Sequence, residues 1–434
     1  MEAPFTLLFS TGEKIDSGKI SGRIYANNPL GTYVFAYKSV PDTVNFLTNK
    51  PDYISQVGTS GDFIFKGLSE TKYKLMAVVD RFGNKVYNVE EDSYGIPFKE
   101  IDLTTAKEID NVDFMITRED TTAPNIISAI MTDAIHILME FSEAVDSSKF
   151  TKENFYAIDS TTNHITTCAN VFKGNAKALQ FYVTLEDSLN GDNNNYLIIK
   201  ELYDRYGNVS LNDAIELNVN TLPDTVKPQL LRMEANNDGK LDLENTKIQL
   251  LFNDGISIID SAKAVNFFDE DSNLIEVAFD RKDAAHLDII PKSKIKSNRN
   301  YSIFVDLNYF ADAAGNRGDT VISKNFFSIN ELDYTGISGS VLYDGTYPVR
   351  IILNKLNTDK SFSAGTSEAN KFEFNKLTPG NYSIFAFEDK NNNGKYDHGS
   401  VMPYRLSEKF SYYPDTLKLK ARWPVGDVII DLNN

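Results

Sequence analysis

The sequence predicts an all-β chain of four β-sandwich domains in series, and three observations predict it. At 434 residues there is room for three or four domains, each long enough to bury a core of its own. The composition favours strands, with 28 Phe and 22 Tyr beside one Trp, and Asn/Asp/Gly turn clusters recur along the whole length. Finally, two pairs of internal repeats are present, an outer pair enclosing an inner pair.

The outer repeat begins where Ile20-Ser21-Gly22-Arg23-Ile24 matches Ile337-Ser338-Gly339-Ser340-Val341. A gap-free block follows, in which Phe63, Phe65, Leu68, Tyr73, Ala77, Asp80, Asn84 and Tyr87 align with Phe372, Phe374, Leu377, Tyr382, Ala386, Asp389, Asn393 and Tyr396. Phe63 and Phe65 stand two apart and so share one face of a strand, and Gly67-Leu68 turns the chain. Tyr73-Lys74-Leu75-Met76-Ala77 then alternates again, which predicts a hairpin with an inward aromatic face. A Ser-Gly-x-Val/Ile strand ahead of a GxFxFxxLxxxxYxLxA segment resembles the transthyretin-like or carboxypeptidase-regulatory-like sandwich family. The resemblance covers residues 17–118 and 333–434 and refers to an accessory domain, so it implies no peptidase metal ligands.

In the inner repeat, Asp120-Thr121-Thr122-Ala123-Pro124 matches Asp224-Thr225-Val226-Lys227-Pro228, each proline marking a linker before an apolar strand. Ile137 to Val145 parallels Ile248 to Ile256, and the stretches ending Asp204-Arg205-Tyr206-Gly207-Asn208 and Asp312-Ala313-Ala314-Gly315-Asn316 correspond. This order resembles the bacterial Ig-like (SbsA-type) family of surface-layer and envelope proteins, over residues 119–222 and 223–332. With no Cys-Trp-Cys framework, such sheets depend on core packing. Helical periodicity is thin, and Ser147 to Asn154 is expected to make a turn of helix ahead of Phe155.

Phe5 to Gly12 alternates like a strand without a partner nearby in sequence. Residues 1–16 are therefore expected to be the remnant strand of a further Ig-like domain upstream, with an export signal before it. The arrangement resembles envelope lipoproteins of Bacteroidota, which implies an exported chain at the periplasm or outer-membrane surface. Membrane contact is then expected only through a lipid anchor outside this sequence.

Composition excludes several functions. A net charge of −17 opposes binding to nucleic acid or anionic lipid, which needs Lys/Arg patches. One cysteine, Cys168, rules out an internal disulfide, a cysteine-based zinc site and a redox pair, and is expected to be a small core residue. His136, His164, His286 and His398 belong to no HExxH or GxSxG signature and are expected to be ordinary packed or exposed residues. No glycine-rich phosphate loop is present, so no enzyme is predicted.

One motif carries a mechanism. Asp389, Asn391, Asn393 and Asp397 offer side-chain oxygens at alternating positions, with Gly394 at the sixth position and the Lys395 carbonyl at the seventh. An EF-hand-type loop wraps calcium this way, although Ser400 stands where the bidentate Glu belongs. The competing expectation is an Asx-rich turn capping the strand that ends at Phe387. The sister segment Asp80 to Asn88 keeps the turn residues and loses the ligands between them, which favours a turn role first. Asn190 to Asn195 and Asn236 to Asp242 are expected to be hairpin tips.

Serial sandwiches joined by proline-containing linkers suggest a semi-rigid scaffold for envelope assembly or adhesion. The alternative is a carbohydrate- or peptide-binding module with Tyr404, Tyr412, Tyr413 and Trp423 as its aromatic surface. The expected partners are envelope proteins or cell-surface glycans.

Overall fold

The computed structural model describes residues 16–26, 28–39, 44–235, 239–367 and 369–433. The remnant strand expected in residues 1–16 lies outside them save for Asp16, and so does the Asn236–Asp238 part of one hairpin tip. Almost every described element is a strand. The protein is all-β and consists of four sandwiches that follow one another along the chain, each with an apolar core of its own.

In the first sandwich, Gly18–Tyr25 pairs antiparallel with Asp62–Leu68 and parallel with Glu108–Ile109 and Phe114–Met115. The facing sheet runs Thr117–Arg118, Ser93–Gly95, Lys72–Val79, Thr32–Lys38, Tyr53–Gln56. The last sandwich repeats the plan, with Thr335–Leu342 antiparallel to Lys371–Leu377 and parallel to Val425–Asp431. The expected hairpin is not formed: Asp62–Leu68 and Lys72–Val79 belong to opposite sheets, and so do Lys371–Leu377 and Gly380–Glu388. Their aromatic faces meet across the core instead, because an apolar strand face is buried as well by a facing sheet as by a neighbouring strand. A positive φ at Gly67 (74°) and at its equivalent Lys376 (55°) bends each strand end toward the other sheet.

The Ser-Gly pair of the outer repeat has a steric cause. A Cβ on Gly22 would lie 2.0 Å from the carbonyl oxygen of Val112, and one on Gly339 2.0 Å from that of Val428. Only glycine lets the parallel partner's backbone come so close.

The first inner sandwich is threaded by one long strand. The first half of His164–Phe172 pairs with Phe155–Asp159; past a register shift at Cys168/Asn170 the second half pairs with Gln180–Leu185 in the other sheet. Cys168 is 2 % exposed within that core, and burial pushes its thiol pKa up to about 12. The segment ahead of Phe155 forms two 3-10 turns, Ser147–Lys149 and Lys152–Asn154. The second inner sandwich packs the sheet Leu230–Ala235, Ile248–Phe252, His286–Pro291, Val277–Arg281 on the sheet Leu274–Ile275, Val265–Asp269, Asn300–Asp306, Val321–Phe327.

The chain divides into two compact units, one holding the first and last sandwiches and the other the two inner ones. The first and last sandwiches therefore touch, a contact missing from a rod whose modules meet only in chain order. Val401 and Tyr404 join a cluster built on Phe35, Tyr37, Phe46, Met76 and Val78 of the first sandwich. Tyr25 stacks on Tyr412 at 4.7 Å and meets the ring of Phe410 edge-on at 5.3 Å. Polar bonds frame this seam: the Tyr404 hydroxyl donates to the Leu75 carbonyl (2.9 Å) and the Tyr94 hydroxyl to that of Gly399 (3.2 Å). The physical reason is that Thr32–Lys38 and Lys72–Val79 are buried on both faces, and their outer sides are covered by Phe46, Tyr87, Tyr94 and Ile96 of the same sandwich together with Val401 and Tyr404 of the last.

Candidate functional sites

Strand Gly380–Glu388 delivers Asp389, fully buried, to the head of the predicted cation loop. Its Oδ1 accepts the Asn393 N–H at 2.9 Å; its Oδ2 accepts the Gly394 N–H at 3.0 Å and the Arg350 Nε–H at 3.2 Å. Asn391 Oδ1 accepts the Asn393 N–H (3.0 Å) and Asn393 Oδ1 accepts the Lys395 N–H (2.7 Å), so two Asx turns follow one another. Asn391 Nδ2 donates to Asp397 Oδ2 at 2.7 Å. The structure thus brings Asp389, Asn391, Asn393 and Asp397 together, with Lys395 taking part through its backbone. These bonds are those of turn chemistry, and Arg350 shares one oxygen, Oδ2, of the Asp389 carboxylate.

Glu408 was not foreseen, since it lies beyond the twelve-residue window that placed Ser400 in the ligand position. It is 3 % exposed and accepts the Lys390 N–H at 2.6 Å and the Asp397 N–H at 3.0 Å, closing the loop from behind. Burial, with Asp397 and Asp389 nearby, raises its pKa although both N–H groups oppose this. The sister loop has the same plan: Asp80 caps Asn84 and Lys85, and the buried Asp92 caps Arg81 and Asn88. Asp389→Ala is expected to lower the unfolding free energy by about 1–3 kcal/mol in calcium-free buffer, because part-buried N–H groups and the Arg350 guanidinium lose their acceptor. Denaturant melts of the two proteins measure this.

Of the four proposed aromatic ligands, three are engaged in packing. Tyr404 stacks on Phe46 at 5.2 Å and Tyr412 on Tyr25. Tyr413 packs against the core of the last sandwich, and Trp423 is 73 % exposed. A different aromatic surface exists on the first sandwich, where an open groove of about 1210 Å³ runs between Tyr53–Gln56 and Asp62–Leu68. Tyr25, Tyr33 and Tyr53 line it together with Arg23, Asp62 and Asp113. Nothing in the sequence marked these tyrosines, because they come from three strands whose edges meet only in the folded sandwich.

The histidines divide. His164 is exposed at a strand start, and His398 lies edge-on to Tyr396 at 4.8 Å with its pKa lowered by burial. His286 Nε2 is 3.5 Å from Asp288 Oδ1. His136 departs from the expectation of an ordinary strand residue. It opens the strand His136–Phe141 of the first inner sandwich, is 4 % exposed, and points into the joint with the second. Its Nδ1 lies 2.9 Å from Asp133 Oδ2, and its Nε2 3.4 Å from Asp254 Oδ1. Burial works against charging this ring, but the Asp133 and Asp254 carboxylates outweigh it and push its pKa up to about 10.

Around His136 gather the acidic residues of all three repeat motifs of the second inner sandwich. Asp224 comes from the proline linker, Asp254 from the segment after Ile248–Phe252, and Asp312 from the Asp-x-x-Gly-Asn turn. One ligand atom each from His136, Asp224 and Asp254 lies within 4.8 Å of the others. Asp224 accepts the Val226 N–H at 2.8 Å, and Asp312 Oδ1 accepts the Asn316 N–H at 2.8 Å. Burial raises the pKa of both Asp224 and Asp312, and each also lies within reach of another of these carboxylates. The repeat made these acids visible in the sequence; their convergence on a histidine of the preceding sandwich was not.

Among known proteins, a family described as "Uncharacterized protein conserved in bacteria (DUF2141)" matches residues 352–410, part of the last sandwich with the Asp389 loop. No curated protein matches the chain. Among solved structures, the N-terminal part of the bacterial S-layer protein SbsC is 16 % identical, with a TM-score of 0.22 over 48 % of this chain. The chain spans 44 % of that S-layer chain. BcpA, the major pilin subunit of Bacillus cereus, is 8 % identical over 96 % of this chain and 99 % of its own, with a TM-score of 0.17. The chicken CNTN1 FN1–FN3 domains are 11 % identical over 69 % of this chain and 99 % of theirs, again with a TM-score of 0.17.

Proposed function

We propose that this chain is a non-catalytic scaffold of a bacterial cell envelope, serving assembly or adhesion by holding its partners at fixed spacing. The observation that carries this reading is the aromatic seam between the first and last sandwiches, where Tyr25 packs against Phe410 and Tyr412 and, in a second cluster, Phe46 stacks on Tyr404. Large apolar side chains are committed to joining domains, which suits a part that must keep its form under load. The test is cross-linking and affinity purification of the full chain from envelope fractions of cells that make it. Recovery with envelope proteins is expected, and recovery solely from the cytosolic fraction overturns the proposal.

A second reading, carbohydrate or peptide binding, is favoured by the groove and its Tyr33 and Tyr53, since rings with polar neighbours suit sugar faces and extended peptides, Tyr25 being stacked on Tyr412. Glycan-array binding abolished by Tyr53→Ala supports it. Calcium at the Asp389 loop belongs to the scaffold reading as a stiffening element. Binding to the folded state alone raises the melting temperature, so a calcium-induced rise that disappears in Asp389→Ala supports it.

A further inference from the structure

We propose that the joint between the two inner sandwiches binds a divalent transition-metal ion of the zinc class, held by Nε2 of His136 and by carboxylate oxygens of Asp224 and Asp254. The three ligand atoms come from three separate segments and already lie within 4.8 Å of one another, close enough for one small ion to reach them all. The histidine is set up as a ligand. Its Nδ1 is turned to the Asp133 carboxylate at 2.9 Å, which holds the ring with the proton on that nitrogen. In the neutral ring that a metal requires, Nε2 then presents its lone pair to the acids; it is buried, 3.4 Å from Asp254 Oδ1, and makes no well-formed hydrogen bond there. Metal-binding histidines are oriented by a carboxylate behind the ring in this way.

Charge supplies an independent argument. Asp133, Asp224, Asp254 and Asp312 surround one imidazole, and it is the only cationic group among their ion-pair partners in the described residues. Asp312 is 6 % exposed and its Oδ2 has no hydrogen-bond partner. Several carboxylates withdrawn from water around one ring leave excess negative charge that a divalent ion offsets. The donor set selects the kind of ion: an imidazole nitrogen with carboxylate oxygens suits zinc, whereas calcium prefers six to eight oxygens. An ion held here ties His136 of one sandwich to the linker and a loop of the next, which fixes the angle between them. The same joint without an ion is a protonated His136 clasped between Asp133 and Asp254, and the experiment separates the two.

The full chain, stripped with a chelator, is titrated with zinc against a chromophoric competitor, beside Asp224→Asn, Asp133→Asn and His136→Gln. One tight equivalent per chain is expected. Asp224→Asn changes a half-buried linker residue and is expected to keep the fold while losing the tight equivalent. Asp133→Asn is expected to weaken binding by about 10–100-fold, as for other carboxylates behind metal-bound histidines. Nitrogen NMR of the His136 ring reports the outcome even if His136→Gln fails to fold: a neutral ring with zinc on Nε2 supports the site. A ring that stays protonated with zinc present overturns it. Zinc bound equally by Asp224→Asn, as scattered surface carboxylates would bind it, overturns it as well, and so does calcium bound as tightly as zinc.

Discussion

Replacing Phe410 by alanine is expected to destabilise not only the last sandwich, which contains it, but also the first. The ring is 3 % exposed and packs edge-on against Tyr25 of the first sandwich and Tyr396 of its own. Truncating a buried phenylalanine costs about 3–5 kcal/mol, through lost transfer energy and the cavity left behind. Much of that cavity opens on the seam, so the strand Gly18–Tyr25, far away in sequence, loses a neighbour. Hydrogen exchange is the discriminating measurement: amides of Gly18–Tyr25 are expected to exchange faster in Phe410→Ala. If only amides of residues 333–434 respond, the two outer sandwiches are energetically independent and the seam does not stabilise either.

The second large effect is expected at Gly339. A methyl group there would meet the Val428 carbonyl at 2.0 Å, and Gly339 and Val428 are register partners across the parallel pair Thr335–Leu342 and Val425–Asp431. No side-chain rotation relieves a clash with backbone, so the strands must part or shift register. Gly339→Ala is expected at the upper end of single-substitution costs, about 3 kcal/mol or more. Gly22→Ala is expected to match it in the first sandwich, where the Val112 carbonyl stands in the same place. A control is available in Gly365→Ala, because that glycine has open space around its Cβ position and a φ that needs no glycine. Urea melts of the three variants check the contrast, and a Gly339→Ala protein as stable as Gly365→Ala sinks the steric account.

Fold class was legible because alternation and repeats are local signals. Phe63, Phe65, Tyr73 and Ala77 were placed on inward faces by spacing alone, and all of them are buried in the first core. Which strand pairs with which was not legible: a strand with one apolar face looks the same whether the next strand lies beside it or across the core. That is why a hairpin was expected where the chain crosses between sheets. The seam between the outer sandwiches left a trace that was passed over. Leu75-Met76-Ala77-Val78 and Phe35-Ala36-Tyr37 are apolar at successive positions, which means both faces of the strand are covered. In the loop, Asp389, Asn391, Asn393 and Asp397 were found by spacing, whereas Glu408, just ahead of Phe410–Tyr412, and Arg350, in Val349–Lys355, close it from elsewhere in the chain. His136 was passed over for the same reason, since nothing in one sandwich's sequence names the acids of the next.

The seam also sets a schedule for the newborn chain. Phe35, Met76 and Val78 pack among Phe46, Tyr87, Tyr94 and Ile96 of their own sandwich, and Val401 and Tyr404, which complete the cluster, leave the ribosome only after both inner sandwiches have been made. At ~5–20 residues per second that delay is on the order of tens of seconds. Through that interval the apolar patch that Val401 and Tyr404 later cover stands open to water and to every other unfinished copy nearby. A first sandwich released on its own is therefore expected to self-associate more readily than the full chain, in which the last sandwich covers that patch.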